Sequence, residues 1–270
     1  MDGSISQYGR NYVDGVEKER GFKIFKDNVE FIDKFNNEGN RTYKLSVNEF
    51  TDLTNEEFVA SHTGYKIPTQ PTSSKTTTFK YDSLTKVPTS MDWRDKGVVT
   101  PIKYQRQCGG NNHGCSGGWM EDAFSYILQN QGIATEENYP YQAMEGSCDQ
   151  ERASNYAARI TSFEDVTPNS EEALLQAVAT QPISVAIDAS SLAFQHYSMG
   201  VYNGECGTQM THAVTVIGYG INDDGTKYWL IKNSWGTTWG ENGYMRIQRD
   251  FEYQQGLCGI AIRPSYPVIA

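Results

Sequence analysis

The stretch Thr211-His212-Ala213-Val214-Thr215-Val216-Ile217-Gly218-Tyr219-Gly220, followed by Tyr228-Trp229-Leu230-Ile231-Lys232-Asn233-Ser234-Trp235-Gly236, decides the fold. Ala213–Ile217 and Tyr228–Lys232 are runs of β-branched, aliphatic and aromatic residues bounded by glycine-bearing turns, which predicts strands. Ile183–Ile187 upstream and Tyr244–Ile247 downstream read the same way. Farther toward the N-terminus the period changes from two to three and four. Ser170 with Glu171 and Glu172 opens a helix through Leu174, Leu175 and Val178 that Pro182 ends, and Met120, Ala123, Phe124, Ile127 and Leu128 line one face of another, with Gly132 as its C′ residue. Helices early and strands late predict an α+β protein with two lobes.

A different module precedes these elements. Phe22, Phe25, Val29, Ile32 and Phe35 recur at helical steps between charges, predicting a helix over 15–36 that stops near Gly39. Tyr43–Val47 alternates like a short strand, and Thr54-Asn55-Glu56-Glu57-Phe58 has the pattern of a capped helix start. Residues 66–86 are rich in Lys, Pro, Thr and Ser without periodicity, the composition of an exposed linker and cleavage region. The expected organisation is a helical module at 1–65, a linker at 66–86 and a second domain at 87–270, without internal repeats.

Composition narrows the function classes. With 38% hydrophobic and 21% charged residues the chain has the make-up of a globular protein, and 270 residues suffice to bury a core. No apolar run approaches the roughly 18 residues of a membrane span. Twenty-three Lys and Arg against 33 Asp and Glu give a net charge of −10, the wrong sign for a nucleic-acid partner. Met1–Gln7 lacks both the basic start and the apolar stretch of a signal peptide, so none is expected within this chain. Cys108, Cys115, Cys148, Cys206 and Cys258 form no CxxC and no Cys/His cluster of zinc-finger spacing, so no structural metal is expected.

The blocks around His212, Asn233 and Trp239-Gly240-Glu241-Asn242-Gly243-Tyr244 resemble the C-terminal half of papain-like cysteine proteases. Gly114-Cys115-Ser116-Gly117-Gly118-Trp119 resembles that family's substrate-binding segment, and Pro88–Arg94 the start of a mature plant enzyme. Glu17, Phe25, Asn28, Ile32 and Asn36, then Ser46, Asn48, Phe50 and Asp52, resemble the two signatures of its inhibitory propeptide, here beginning late. Gly21 stands where arginine is usual, and Ser46 where glycine is. The resemblance implies a papain-like fold, a helical left lobe facing a β-barrel-like right lobe, behind a helical propeptide. It further implies a monomeric, cofactor-free thiol endopeptidase acting on polypeptides. Such an enzyme is held as a zymogen by its own propeptide and located in a vacuole, lysosome or outside the cell.

Residue by residue, the resemblance makes His212 the acid–base, Asn233 the residue orienting it and Trp235 the shield over their hydrogen bond. Gln105 becomes the oxyanion donor. Gly117 and Gly118 would bind substrate backbone, while Trp119, Met120, Ala186 and Ala213 would line a pocket for the substrate's second side chain. That lining is apolar, so a bulky hydrophobic side chain is expected there. The family's pairings would join Cys108 to Cys115 and Cys206 to Cys258. His62, His113 and His196 read as surface or loop residues. Asn40-Arg41-Thr42 fits a glycosylation sequon.

One element of the resemblance is missing. The family writes Gln-Gly-x-Cys-Gly-Ser-Cys-Trp with the second cysteine as nucleophile, whereas this chain reads Gln105-Arg106-Gln107-Cys108-Gly109-Gly110-Asn111-Asn112-His113-Gly114-Cys115. Cys108 matches the first, structural cysteine. A nucleophile lies roughly 130–150 residues before its histidine, yet His212 follows Cys108 by 104, so roughly 30–40 residues are absent after Gly109. The same gap would remove the partner of Cys148 and leave it unpaired. It would also remove the interface helix that carries the nucleophile, leaving an incomplete left lobe. The literal chain is therefore expected to be inactive. The alternatives are a catalytically dead homologue that binds peptides or acts as a propeptide-type inhibitor, and a non-functional splice or gene-model product.

Overall fold

Every described α-helix except the one that follows Trp119 begins where a short polar side chain replaces a missing backbone partner. In a computed structural model, which describes residues 12–65, 86–105, 117–144 and 146–269, helix α1 (Gly15–Asn37) starts on Asp14, whose carboxylate accepts the Glu17 N–H. Helix α2 (Asn55–His62) has the full reciprocal capping box: Thr54 accepts from the Glu57 N–H, and Glu57 from the Thr54 N–H. Helices α3 (Met120–Gln129), α4 (Gln150–Ala153), α5 (Glu171–Val178) and α6 (Leu192–Gln195) follow, with Asp149, Ser170 and Ser191 capping the last three. At the end of α3 the left-handed residue is Gln131, φ 63°, not Gly132, whose N–H bonds to the Ile127 carbonyl.

The strands are β1 (Tyr43–Leu45), β2 (Met91–Asp92), β3 (Ser162–Asp165), β4 (Ile183–Ile187), β5 (Tyr197–Tyr202), β6 (His212–Ile221), β7 (Lys227–Lys232), β8 (Tyr244–Gln248) and β9 (Ser265–Val268). They form one sheet in the order β1-β5-β8-β7-β6-β4-β9-β3, with β2 also on β6. Among the described strands only the β5–β8 pair runs parallel. The predicted strands are all present, β6 extending four residues beyond Ile217, and β2, β3, β5 and β9 are additional.

The N-terminal module is stitched into this sheet. Strand β1 pairs with β5, Tyr43 opposite Gly200. Asn28 donates to the Thr51 and Leu53 carbonyls, and Asn36 exchanges two hydrogen bonds with Leu45, so the helical signature holds the following loop. Asn48 accepts from the Phe50 N–H and donates to the Gln195 carbonyl. Phe50 and Phe58 thereby enter the same core cluster as Trp229, Trp235 and Trp239. The glycine at position 21 has a local reason: the Tyr12 ring lies where its side chain would stand, and the Tyr12 hydroxyl donates to Asp52.

The α3 side differs. Phe124, Ile127 and Leu128, which the periodicity places on a buried face, are only half-buried, and Tyr126, Ile133, Tyr141 and Met144 are exposed. Beside them lies a groove of about 530 Å³ whose lining includes Cys148.

Candidate active site

Strand register assembles the site. His212 is the first residue of β6 and sits opposite Ile187, with Ala213 opposite Ala186 one step on. Strand β7 pairs Lys232 with Thr215, so Asn233 emerges just past the strand end beside the same rung, and its N–H is held by the Gly243 carbonyl. His212 Nε2 lies 2.8 Å from Asn233 Oδ1. That oxygen also accepts the Ser234 N–H at 2.7 Å, which fixes the orientation of the amide. Nε2 therefore carries the proton of this hydrogen bond, and Nδ1 is the nitrogen left to take or give one. The Trp235 ring stacks on the imidazole at 4.5 Å between centroids and has no exposed surface. Burial pulls the His212 pKa down to about 4 against a smaller upward pull from Asn233, so the imidazole is neutral near pH 7.

Gln105 reaches the site on an extended segment. Its N–H bonds to the Ser234 carbonyl, and the Gly236 N–H bonds to the Lys103 carbonyl. Its side-chain oxygen accepts from the Ser234 hydroxyl, and its side-chain nitrogen donates to the His62 carbonyl at 3.1 Å. The amide is thus aimed at a carbonyl of the N-terminal module.

That module runs through the site. The Gly118 N–H donates to the Gly64 carbonyl at 3.0 Å, and the Tyr65 N–H to the Thr211 carbonyl at 2.9 Å. Gly117 has φ +87°, and a side chain there would collide with the Gly64 carbonyl oxygen; two needs, positive φ and close approach, require glycine. Tyr65 stacks on Trp119 and is buried with Met120 and Ala186, Met210 and Ala213 packing against them. The four residues expected to line a pocket do come together, and a ring of the chain itself fills it.

Two histidines read as surface or loop residues are buried. His62 stacks on Phe58, and its carbonyl accepts from both Trp235 Nε1 and Gln105. His196 has no exposed surface and follows α6 into β5. Both are covered where the N-terminal module meets the sheet, a contact between distant segments that no local pattern announces; His113 lies outside the described residues. Cys206 and Cys258 are bonded, Cys148 is free and exposed, and the Cys108–Cys115 pairing lies outside the described residues. Among the described residues no cluster of three or more metal-ligating side chains occurs, and no helix is long and apolar enough to cross a membrane.

Residues 109–268 match the profile of the papain family cysteine proteases, and residues 5–58 that of the cathepsin propeptide inhibitor domain (I29). This chain belongs to the papain family of cysteine proteases. The senescence-specific cysteine protease SAG39 of Oryza sativa subsp. japonica is 45% identical over 303 residues, 97% of this chain and 88% of the relative. Fruit bromelain of Ananas comosus is 40% identical over 298 residues, 98% of this chain and 84% of its own. Among solved structures, a recombinant stem bromelain precursor superposes with a TM-score of 0.90 at 40% identity, covering 99% of this chain and 97% of that one. The proform of the ragweed pollen cysteine protease Amb a 11 gives 0.89 at 34%, covering 100% and 93%. The segment described above as crossing the site follows directly on this inhibitor domain, and the papain-family chain carries its own intramolecular inhibitor.

Proposed function

We propose that this chain is a papain-family zymogen whose acid–base apparatus is intact and whose nucleophile is absent. In a member that has the thiolate, sulfur attacks the peptide carbonyl; His212 Nδ1 holds the thiol's proton and delivers it to the leaving amine. Asn233 fixes the ring through Nε2, Trp235 keeps water from that hydrogen bond, and the Gln105 amide donates to the oxyanion. Gly117 and Gly118 receive substrate backbone, and Trp119, Met120, Ala186 and Ala213 receive its second side chain. The observation that carries this reading is the His212–Asn233–Trp235 constellation beside the Gln105 amide.

Inactivity rests on a separate count. The rice relative aligns over 303 positions, to which this chain contributes 97% of its 270 residues, so roughly 40 aligned positions have no residue here, the size of the shortfall that the cysteine–histidine spacing requires. The half-buried face of α3 and the free Cys148 agree with a missing packing partner and a missing disulfide partner. Neither the bonded Cys206 and Cys258 nor Cys148, beside Tyr139, is a partner of His212. Loss of a nucleophile costs on the order of 10⁶ in rate. An epoxysuccinyl probe applied to the purified chain is expected to leave it unlabelled, and insertion of the relative's extra segment between Gly109 and Gly110 to restore labelling and turnover. Turnover by the unmodified chain that Cys108→Ser abolishes would overturn the reading.

The occupied cleft favours a second role for the same molecule, that of a propeptide-type inhibitor or peptide binder. Slow-tight inhibition of an active relative by the chain would support it. By family resemblance its setting is a vacuolar, lysosomal or extracellular one.

A further inference from the structure

The loop between α1 and β1 carries a motif that the protease reading leaves unused. Asn40-Arg41-Thr42 is the sole Asn-x-Ser/Thr triplet in the 270 residues. Three other asparagines of the same module are spent on its fold: Asn28, Asn36 and Asn48 donate their side-chain amides to backbone carbonyls. Asn40 is exposed, and among the described residues its carboxamide has no hydrogen-bond partner. Gly39 before it has φ +77°, and a side chain built there would meet nothing within 4 Å, so the loop stands clear of the rest of the molecule. Arg41 is tied back to the helix: its Nε donates to the Glu38 carbonyl at 3.2 Å, and its guanidinium carbon lies 4.0 Å from the Phe35 ring centroid.

Thr42 is held on the other side. Its hydroxyl donates to the Val201 carbonyl at 2.6 Å, and its own carbonyl accepts the Val201 N–H at 2.9 Å, next to the Tyr43–Gly200 rung of the β1–β5 pair. Val201 lies 159 residues farther along the chain. At a synthesis rate of ~5–20 residues per second, Thr42 precedes Val201 by about 8–32 s. For that interval the partner of the threonine hydroxyl does not exist, and the triplet is free as extended chain. The Cys206–Cys258 bond belongs to an oxidising lumen, the compartment in which sugar is attached to nascent chains.

We propose that Asn40 is an N-glycosylation site, filled before β1 joins β5. In the transfer the Asn40 amide nitrogen bonds to the anomeric carbon of an oligosaccharide carried on a polyprenyl pyrophosphate. The bond from that carbon to the pyrophosphate oxygen breaks, the lipid pyrophosphate leaves, and the amide gives up one proton. No electrons are exchanged, so neither an oxidant nor a reductant is needed. The glycan projects from the exposed loop and leaves the strand pairing intact. Residue 40 falls in the inhibitor domain, 5–58, and outside the protease match, 109–268, so the sugar marks the inhibitor alone. Once β1 is paired the threonine hydroxyl is engaged, and a chain that folds unmodified stays bare.

The site is tested with the full chain behind an added secretory leader, translated in the presence of endoplasmic-reticulum microsomes. A single mobility shift is expected, removed by peptide-N-glycosidase, with position 40 then recovered as aspartate by peptide mapping. Asn40→Gln and Thr42→Ala are expected to abolish the shift, and Thr42→Ser to keep it. Order is tested on full chain made without the leader and offered, folded or reduced and alkylated, to solubilised oligosaccharyltransferase with its lipid-linked donor. Transfer to the unfolded form is expected to be at least about ten-fold faster, the factor that freeing the hydroxyl from one hydrogen bond supplies. No shift in the leader-bearing chain, or a shift that survives Asn40→Gln, overturns the site. Equal transfer to folded and unfolded chain overturns the order.

Discussion

On the sheet side of the molecule Leu174, Ile183, Val185, Trp229 and Ile247 have no exposed surface, while on the α3 side Tyr126, Ile133, Tyr141 and Met144 are between 45% and 70% exposed. Both regions come from apolar residues at regular spacing. They differ in what each apolar face meets. Strands β4, β6, β7 and β8 lie beside one another in one sheet, and the propeptide supplies Ile32, Tyr43, Leu45, Phe50 and Phe58 to the same core. Among the described elements helix α3 packs against β3 and β9. The pattern of a sequence states that a face should be buried; a partner must exist to bury it. The contrast fits the proposed loss of the segment after Gly109, and it locates the remaining stability of the chain in the sheet and the module stitched to it.

The contrast is open to attack, most forcefully at Trp235. This ring is fully buried among Phe50, Phe58, Phe194, His212 and Trp239, and joins the propeptide to the sheet. Trp235→Ala is expected to destabilise the sheet side by about 3–5 kcal/mol, measured by urea titration, and Phe124→Ala on α3 by less than about 1 kcal/mol. Equal losses would erase the distinction between the regions. Next in size is the cross-link. The Cys206–Cys258 bond closes a separation of 52 residues, so Cys206→Ser with Cys258→Ser should cost up to about 4 kcal/mol, whereas Cys148→Ser should stay within about 0.5 kcal/mol in the same titration.

The third attack uses pH. Burial holds His196 and His212 down at about 4 from 6.5, so the folded chain binds fewer protons than the unfolded one across that window. Stability is full above 6.5 and is lost as pH falls toward 4, by up to about 3 kcal/mol for each histidine. His196, with both ring nitrogens unpartnered and burial as the only cause of its shift, isolates the effect. His196→Phe is expected to flatten the acid limb of a thermal-melt series between pH 6.5 and 4 while leaving values above 7 nearly unchanged. Glu121 has the opposite sign: its carboxyl is raised from 4.5 to about 7, so its contribution is full below 4.5 and is lost as pH rises through 7. Glu121→Gln should therefore remove a smaller decline that runs from pH 4.5 up through 7; removal of a rise over that window instead would show that the sign is wrong.

Much of this was legible without coordinates. The capping box at Thr54, the helix through Leu174 and Val178 and the four central strands follow from local spacing and backbone needs that a short window contains, and the glycine pair before Trp119 from the family resemblance. Strand β5 was not legible, because Tyr197–Tyr202 is strand only by pairing with β1 and β8, one 150 residues away and the other 40. The same holds for His62 and His196, whose burial depends on a segment folding back across the sheet.

For this protein the order of residues determined which side chains could do chemistry. An imidazole, an amide and an indole at the ends of two strands, with no cysteine three residues after Cys108, follow from sequence, since a reactive group is either encoded or it is not. Tertiary structure alone decided what occupies the cleft. Tyr65, Trp119 and Thr211 are far apart along the chain, and the backbone hydrogen bonds that seat the tyrosine, from its own N–H to the Thr211 carbonyl and from the Gly118 N–H to the Gly64 carbonyl, form only when the N-terminal module lies across β6 and the start of α3, a closure set by packing energy summed over the whole interface.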